Sequence, residues 1–351
     1  MVLHEVGGAF TLEYRPVPKP GRGEVLIRVL AVGAGVTNEL ARNGVLGGSV
    51  PRVHGHEFSG VIVDLGSEDE GWSVGDVVTT SFYHLCGRCR WCASGRETLC
   101  DDFGGFIGIA SDGAFADYTT MPSENLVRIP DGVDLLGAGI VGDAIATPYH
   151  VAAERLRMHP GDAVAVIGGG GGLGVHMLQI IRAFGGVAIA VERAAEKANA
   201  LREQNLADAV VIPDRDGAWA ESATDAAGGR LAGVVDTVGN AQTLAEGYRA
   251  LGKAGSLVVL GHVPDTILPV DPERLLLGEL VVAGTRYATR AEISQTMDLV
   301  RRGRVVPIVG ATYPLESLNE ALDAAKGEKV FGRIIIDVAG AENYQQQSRG
   351  E

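Results

Sequence analysis

Apolar residues follow two different patterns along this chain. In the first 80 positions they come in short runs bounded by glycine: Val25-Leu-Ile-Arg-Val-Leu-Ala-Val32, Gly60-Val-Ile-Val-Asp-Leu65, and Val77-Val78-Thr79 after Gly75-Asp76. Such runs predict strands, and short strands between glycine turns predict a barrel-like or Greek-key arrangement. Residues 114–129 continue the pattern. From about Ala144 strand and helix alternate, with strands expected at residues 164–167, 187–191, 210–212, 233–236, 256–260 and 280–283 and helical patterns between them, such as 241–251. That alternation predicts an α/β unit with a doubly wound parallel sheet. Helices at 290–302 and 315–326 and a strand at 332–338 follow. Residues 340–351 are polar and expected to be disordered. No internal repeat is visible.

The stretch 164–192 organises the second half. Val-Ala-Val-Ile runs into Gly168 to Gly172, and Leu173, Met177, Ile180, Ile181 and Phe184 then recur at helical spacing. A second apolar run, 187–191, ends at Glu192. Within the turn, Gly169, Gly171 and Gly174 fit G-x-G-x-x-G, with Gly172 and Leu173 in the same turn. The first glycine permits the turn, the second lets a pyrophosphate approach, and the third lets helix and strand pack closely. The helix N-terminus offers free N–H groups to phosphates. Glu192 is placed to accept from the adenosine ribose hydroxyls and to repel a 2′-phosphate, which favours NAD(H); Arg193 beside it keeps NADP(H) possible. The alternatives are a glycine-rich linker or a membrane span, because residues 163–181 carry no charge, but five consecutive glycines suit a span poorly.

Composition narrows the class. A chain of 351 residues suggests two domains, and 46% hydrophobic with 21% charged residues suits a globular protein with a large core. A net charge of −14 argues against nucleic acid and anionic membrane as partners and leaves a small-molecule substrate. Residues 1–10 lack a basic region followed by an apolar one, so no signal peptide is expected and the location is expected to be cytoplasmic.

The four cysteines, Cys86, Cys89, Cys92 and Cys100, lie at C-x2-C-x2-C-x7-C. Three thiolates on a tight loop and a fourth returning nearby can close a tetrahedral zinc site. Four sulfur ligands leave no open position, so that zinc is structural. Two disulfides do not suit a reducing compartment, and iron–sulfur runs use other spacings.

With these features in place, the chain resembles a zinc-containing alcohol dehydrogenase of the medium-chain dehydrogenase/reductase superfamily over nearly its whole length. The marks are Gly23-Glu-Val-Leu-Ile-Arg-Val29, Gly55-His-Glu57, Val74-Gly-Asp-Val77, the cysteine lobe, the glycine turn, Val235-Asp-Thr-Val-Gly239, Val259-Leu-Gly261 and Phe331-Gly-Arg-Ile334. The resemblance implies a GroES-like β-rich catalytic domain built from residues 1–144 and 287–351, with the zinc lobe at 86–100. A Rossmann dinucleotide-binding domain, 145–286, is inserted between them, and the active site lies in the cleft. It further implies Lys197 near the adenosine ribose, Val238, Leu260, Gly261 and Arg333 at the cofactor, and a homodimer or homotetramer.

The resemblance breaks at the catalytic zinc. That metal takes a cysteine, the histidine of Gly-His-Glu, and a second cysteine or acid. Here the stretch Gly33-Ala-Gly-Val-Thr-Asn38 has Gly35 at the cysteine position, whereas His56 and Glu57 are kept. The third ligand, four residues before Thr147, is Asp143. The acid expected after the relay hydroxyl Thr37 is Asn38. Losing a thiolate should weaken zinc binding. Either Glu57 swings in to complete a harder site, or the site is metal-free and Thr37, Asn38, His56, Glu57 and Asp143 form a polar, proton-handling pocket. Asp143 among apolar neighbours needs a partner, and His56 is the expected one. His54 could face the pocket or solvent.

Three functions fit. The leading one is an NAD-dependent oxidoreductase passing hydride between nicotinamide and an alcohol or carbonyl carbon, with the catalytic zinc lost or weakened. The second is metal-free reduction of an activated C=C bond. The third is nucleotide binding without catalysis, which the polar residues kept in the pocket disfavour.

Overall fold

The computed structural model describes residues 1–67, 71–327 and 329–341, so the tail expected to be disordered lies outside the described residues from 342 onward. The chain divides into two compact units. One comprises Met1–Ala146, Ala288–Gly303 and Pro307–Glu351; the other comprises Thr147–Tyr287 and Arg304–Val306.

The first unit is β-rich. Its centre is the strand Glu24–Ala34, buried along most of its length. It pairs antiparallel with Phe58–Leu65, Tyr118–Pro122 and Arg333–Asp337, so residues far apart in sequence meet on one ladder. The seven-stranded sheet runs from Val309–Pro314 through Arg333–Asp337, Glu24–Ala34, Phe58–Leu65 and Val77–Thr80 to Leu126–Arg128. Alternation puts Val25, Ile27 and Val29 in the core with Phe58, Ile62, Phe82, Phe115 and Met121. A small sheet of Phe10–Thr11, Val2–Leu3 and Arg52–Val53, which the apolar runs did not announce, stands beside it.

One register governs the site. Ile334 faces Ala34 and Ile335 faces Gly33. One step further along the same ladder, Arg333 comes opposite Gly35, whose backbone is still extended at φ −163° and ψ −169°. Gly35 then caps the helix Val36–Arg42. Periodicity also did not mark a helical run beyond residue 134: the helix Leu135–Ala138, capped by Asp134, and a π-helical turn at Val141–Ile145 that carries Asp143. Such turns recur at functional sites, because one extra residue re-aims a side chain.

The second unit is a six-stranded, all-parallel sheet in the order Ala209–Val211, Val187–Val191, Ala163–Ile167, Leu231–Asp236, Leu251–Val259 and Val281–Gly284. Numbered within the unit, this is 3-2-1-4-5-6, the doubly wound dinucleotide-binding order. Its core joins Ile167, Ile189, Val191, Trp219, Val234, Leu244, Tyr248 and Leu257. The uncharged segment 163–181 is a buried strand, the glycine turn and the helix Gly174–Ala183. No helix among the described residues is long and apolar enough to cross a membrane.

Candidate active site and cofactor turn

In the second unit the glycine turn leaves the first strand at the point where strand order reverses. A Cβ on Gly174 would stand 2.1 Å from the carbonyl oxygen of Gly168, so only glycine lets the helix start this close to the strand. Glu192, buried at the end of Val187–Val191, accepts the N–H of Gly170 through Oε2 (2.9 Å) and that of Ala194 through Oε1 (2.9 Å). Lys197 is half-buried, and a Cβ on Gly170 would lie 2.8 Å from its own Cβ; Arg193 is exposed. Asp236 organises the loops after the fourth and fifth strands. Its Oδ1 accepts from Val238 and Gly239, and its carbonyl accepts from Leu260 and Gly261. Gly169, Gly171, Gly172, Leu173, Val238, Leu260 and Gly261 therefore lie in turns that follow three adjacent strands. A turn stripped of side chains, a helix N-terminus and a fixed carboxylate fit a dinucleotide.

In the first unit the Sγ atoms of Cys86, Cys89, Cys92 and Cys100 all lie within 4.8 Å of one another, and none is in a disulfide. Cys89 and Cys92 are 3.6 Å apart and Cys86 and Cys100 3.5 Å. Zinc–sulfur bonds of about 2.3 Å give tetrahedron edges of roughly 3.8 Å, so the donor set fits a zinc ion. Backbone N–H groups of Cys92 and Asp101 pull the Cys89 thiol down to about 6, while burial pushes Cys92 up to about 12.

A second constellation in this unit joins His56, Glu57, Asp143, Asn38 and Arg333, all at least nine-tenths buried. His56 Nε2 meets Asp143 Oδ2 at 3.2 Å, and its ring packs edge-on against Phe82. Glu57 is fully enclosed. Its Oε1 accepts from Nε (2.8 Å) and Nη2 of Arg333, and its Oε2 accepts the N–H of Ala144 (3.2 Å). Arg333 Nη2 also lies 3.6 Å from Asp143 Oδ2. Burial raises the pKa of Glu57; the Arg333 charge opposes the shift without cancelling it.

Two glycines make this packing possible. Gly33 and Gly35 are two residues apart and so share a face of the strand end. A Cβ on Gly33 would fall 2.2 Å from Glu57 Oε1, and one on Gly35 2.2 Å from Arg333 Nη1. The carboxylate and the guanidinium occupy the space that side chains at 33 and 35 would need. His56, Glu57 and Asp143 have donor atoms close enough to share a metal ion. However, the cation seated among them is Arg333, and both oxygens of Glu57 are already engaged. Gly35 offers the resembled zinc no side chain, so of the positions the resemblance points to only His56, Glu57 and Asp143 carry ligand atoms for it.

Thr37 is half-buried on the first turn of Val36–Arg42. Arg333, which the resemblance assigned to the cofactor, has its guanidinium on Glu57. The paired glycines of Gly33-Ala-Gly35, closing an apolar strand, were the available sign that something large sits there. His54 faces neither pocket nor solvent: it is buried edge-on against Phe10 at 5.2 Å.

Comparison with known proteins agrees with both units. Residues 21–131 match the alcohol dehydrogenase GroES-like domain, and residues 172–302 match the zinc-binding dehydrogenase domain. An alcohol dehydrogenase of Geobacillus stearothermophilus is 31% identical over 339 residues, 95% of this chain and 97% of the relative. An acryloyl-coenzyme A reductase of Sulfurisphaera tokodaii is 29% identical, covering 93% of this chain and 96% of the relative. The crystal structure of AibC superposes with a TM-score of 0.89 at 30% identity, covering 96% of this chain and 94% of that one. The chain belongs to the zinc-type alcohol dehydrogenase family of the medium-chain dehydrogenase/reductases. It is an oxidoreductase with a GroES-like domain and a parallel-sheet nucleotide-binding domain.

Proposed function

We propose that this chain is a reductase of a C=C bond conjugated to a carbonyl, working without a catalytic metal and preferring NAD(H). The observation that carries the proposal is the Arg333 guanidinium seated in the space next to Gly35, between the carboxylates of Glu57 and Asp143. A bound nicotinamide dinucleotide would supply the hydride. The substrate gains hydride at the β-carbon, negative charge grows meanwhile on its carbonyl oxygen, and a proton from water completes the reduction at the α-carbon. Thr37 is the donor proposed for that oxygen. Glu57 and Asp143 hold the guanidinium, and Asn38 holds His56. The acryloyl-coenzyme A reductase among the relatives supports this reading. A second reading, hydride exchange with a simple alcohol or carbonyl, is favoured by the retained Thr37 and by the alcohol dehydrogenase relatives.

The cysteine lobe is proposed to hold one structural zinc, and the protein to form a homodimer or homotetramer. The open edge strand Val281–Gly284, with Val281 and Val282 exposed, supports the assembly. The deciding experiment measures zinc per chain and NADH oxidation before and after mild chelation. An α,β-unsaturated thioester or ketone is compared with its saturated ketone counterpart. The expected result is about one zinc, held by four thiolates, with turnover of the conjugated substrate that survives chelation. Turnover restricted to the saturated carbonyl, or lost on chelation and restored by zinc, would overturn the proposal.

Cofactor preference has its own check. Glu192→Ala removes the carboxylate that repels a 2′-phosphate, so the ratio of NADH to NADPH affinity is expected to fall about tenfold, or ~1.4 kcal/mol. Titration of both cofactors by nicotinamide fluorescence reads it; an unchanged ratio would show that Glu192 plays no part.

A further inference from the structure

Asn38 decides which nitrogen of His56 carries the proton. It is the third residue of Val36–Arg42, and its Oδ1 accepts the N–H of Gly35 at 3.0 Å. A backbone N–H can only donate, so this end of the amide is the oxygen. The other end, Nδ2, stands 3.4 Å from His56 Nδ1. An amide NH2 also only donates, so Nδ1 must present its lone pair. The proton of the neutral ring is then on Nε2, which faces the Asp143 carboxylate at 3.2 Å. In this arrangement each of these contacts pairs a donor with an acceptor. We infer that Asn38 is a positioning residue that locks His56 in the Nε2–H form and directs that N–H to the Asp143 carboxylate.

A metal-ligating histidine needs the opposite arrangement. Its free ring nitrogen keeps N–H and gives it to a carboxylate, carbonyl or water, which leaves the lone pair for the metal. An acid at position 38 would accept Nδ1–H and free Nε2; the amide forces the proton onto Nε2. Gly35, which offers no ligand atom, and Asn38, which sends the ring proton to Nε2, both work against a metal on His56. The consequence for catalysis rests on the metal-free reading proposed above, whereas the tautomer follows from the pocket geometry alone.

The test is long-range proton–nitrogen correlation spectroscopy on the full chain labelled with 15N-histidine, with His56 assigned by its absence in His56→Gln. The expected spectrum shows a pyridine-like Nδ1 and a pyrrole-like, protonated Nε2. Asn38→Asp keeps the oxygen that accepts from Gly35, so the helix start is preserved. At pH 8, where the aspartate is ionised, it should move the proton to Nδ1. A protonated Nδ1 in the unaltered protein, or an unmoved pattern in Asn38→Asp, would overturn the inference. As a second readout, Gly35→Cys with Asn38→Asp should bind cobalt(II), followed by its visible absorption, about 10- to 100-fold more tightly than Gly35→Cys alone. Equal affinities would overturn the inference as well. Neither measurement uses turnover, so a failed C=C assay leaves the tautomer standing, and a failed tautomer test leaves the choice of substrate open.

Discussion

Arg333→Met is expected to destabilise the first unit by about 3–5 kcal/mol, the cost of breaking a buried ion pair by removing one partner. Glu57 has no exposure to water, and its charge is answered by a guanidinium that bonds it through two nitrogens. Without Arg333 the carboxylate must remain an uncompensated charge or take up a proton. Burial already raises its pKa, and removing the opposing cation raises it further. Because its folded pKa then lies above its unfolded one, the penalty is small below the unfolded value and grows as pH rises towards the folded one. The loss should therefore be larger at pH 8 than at pH 5. Adding Glu57→Gln removes the charge, keeps an acceptor for the Ala144 N–H, and should recover much of the loss, with a coupling of up to ~3 kcal/mol in the double-mutant cycle. Recovery stays incomplete because Asp143, 3.6 Å from the guanidinium, loses its neighbour too. Urea midpoints at the two pH values measure this; a loss below about 1 kcal/mol for Arg333→Met would show that the pair does not hold the pocket together.

The parts of the molecule that depend on local pattern were legible in the chain. The strand, glycine turn and helix around Gly168 to Gly174 carry their own periodicity, and the four cysteines lie within 15 consecutive positions, so spacing alone proposes their geometry. The pocket is different because it is assembled by register. Arg333 and Gly35 meet only because Arg333–Asp337 pairs antiparallel with Glu24–Ala34 across some 300 residues, and nothing local announces that partner. The motif Phe331-Gly-Arg-Ile334 was visible, but its contact with Glu57 was not; Gly35, where a Cβ would lie 2.2 Å from Arg333 Nη1, leaves the guanidinium room there. Asp143 was found by counting back from Thr147, yet the π-helical turn that aims it left no periodic signal. His54 shows the same limit on a smaller scale. Position next to a motif suggested the pocket or solvent, while the chain between the strands Arg52–Val53 and Phe58–Leu65, which turns at Gly55 with φ +97°, sets the side chain in the core beside Phe10.

His54 should give the protein a distinct loss of stability in mild acid. The side chain is 4% exposed, and its Nδ1 has no hydrogen-bond partner among the described residues. Burial pushes its pKa down to about 4, helped by the Arg52 charge and opposed by Asp112. In the unfolded chain the imidazole titrates near its ordinary 6.5. Above that value both states are neutral and the group contributes no pH dependence. As pH falls from 6.5 towards 4, the unfolded state takes up a proton that the folded state refuses, so stability declines with acidification. The full difference is on the order of 3 kcal/mol, from ~1.4 kcal/mol per pH unit between the two pKa values. His54→Leu keeps an apolar contact with Phe10 and removes both the titration and the unpaired nitrogen. It should match the unaltered protein at pH 7.5 to within about 1 kcal/mol, and exceed it by about 2 kcal/mol at pH 4.5. Urea denaturation at those two pH values is the measurement. Parallel pH profiles for the two proteins would mean that His54 is protonated in the fold as readily as in the unfolded chain, and that the acid sensitivity has another source.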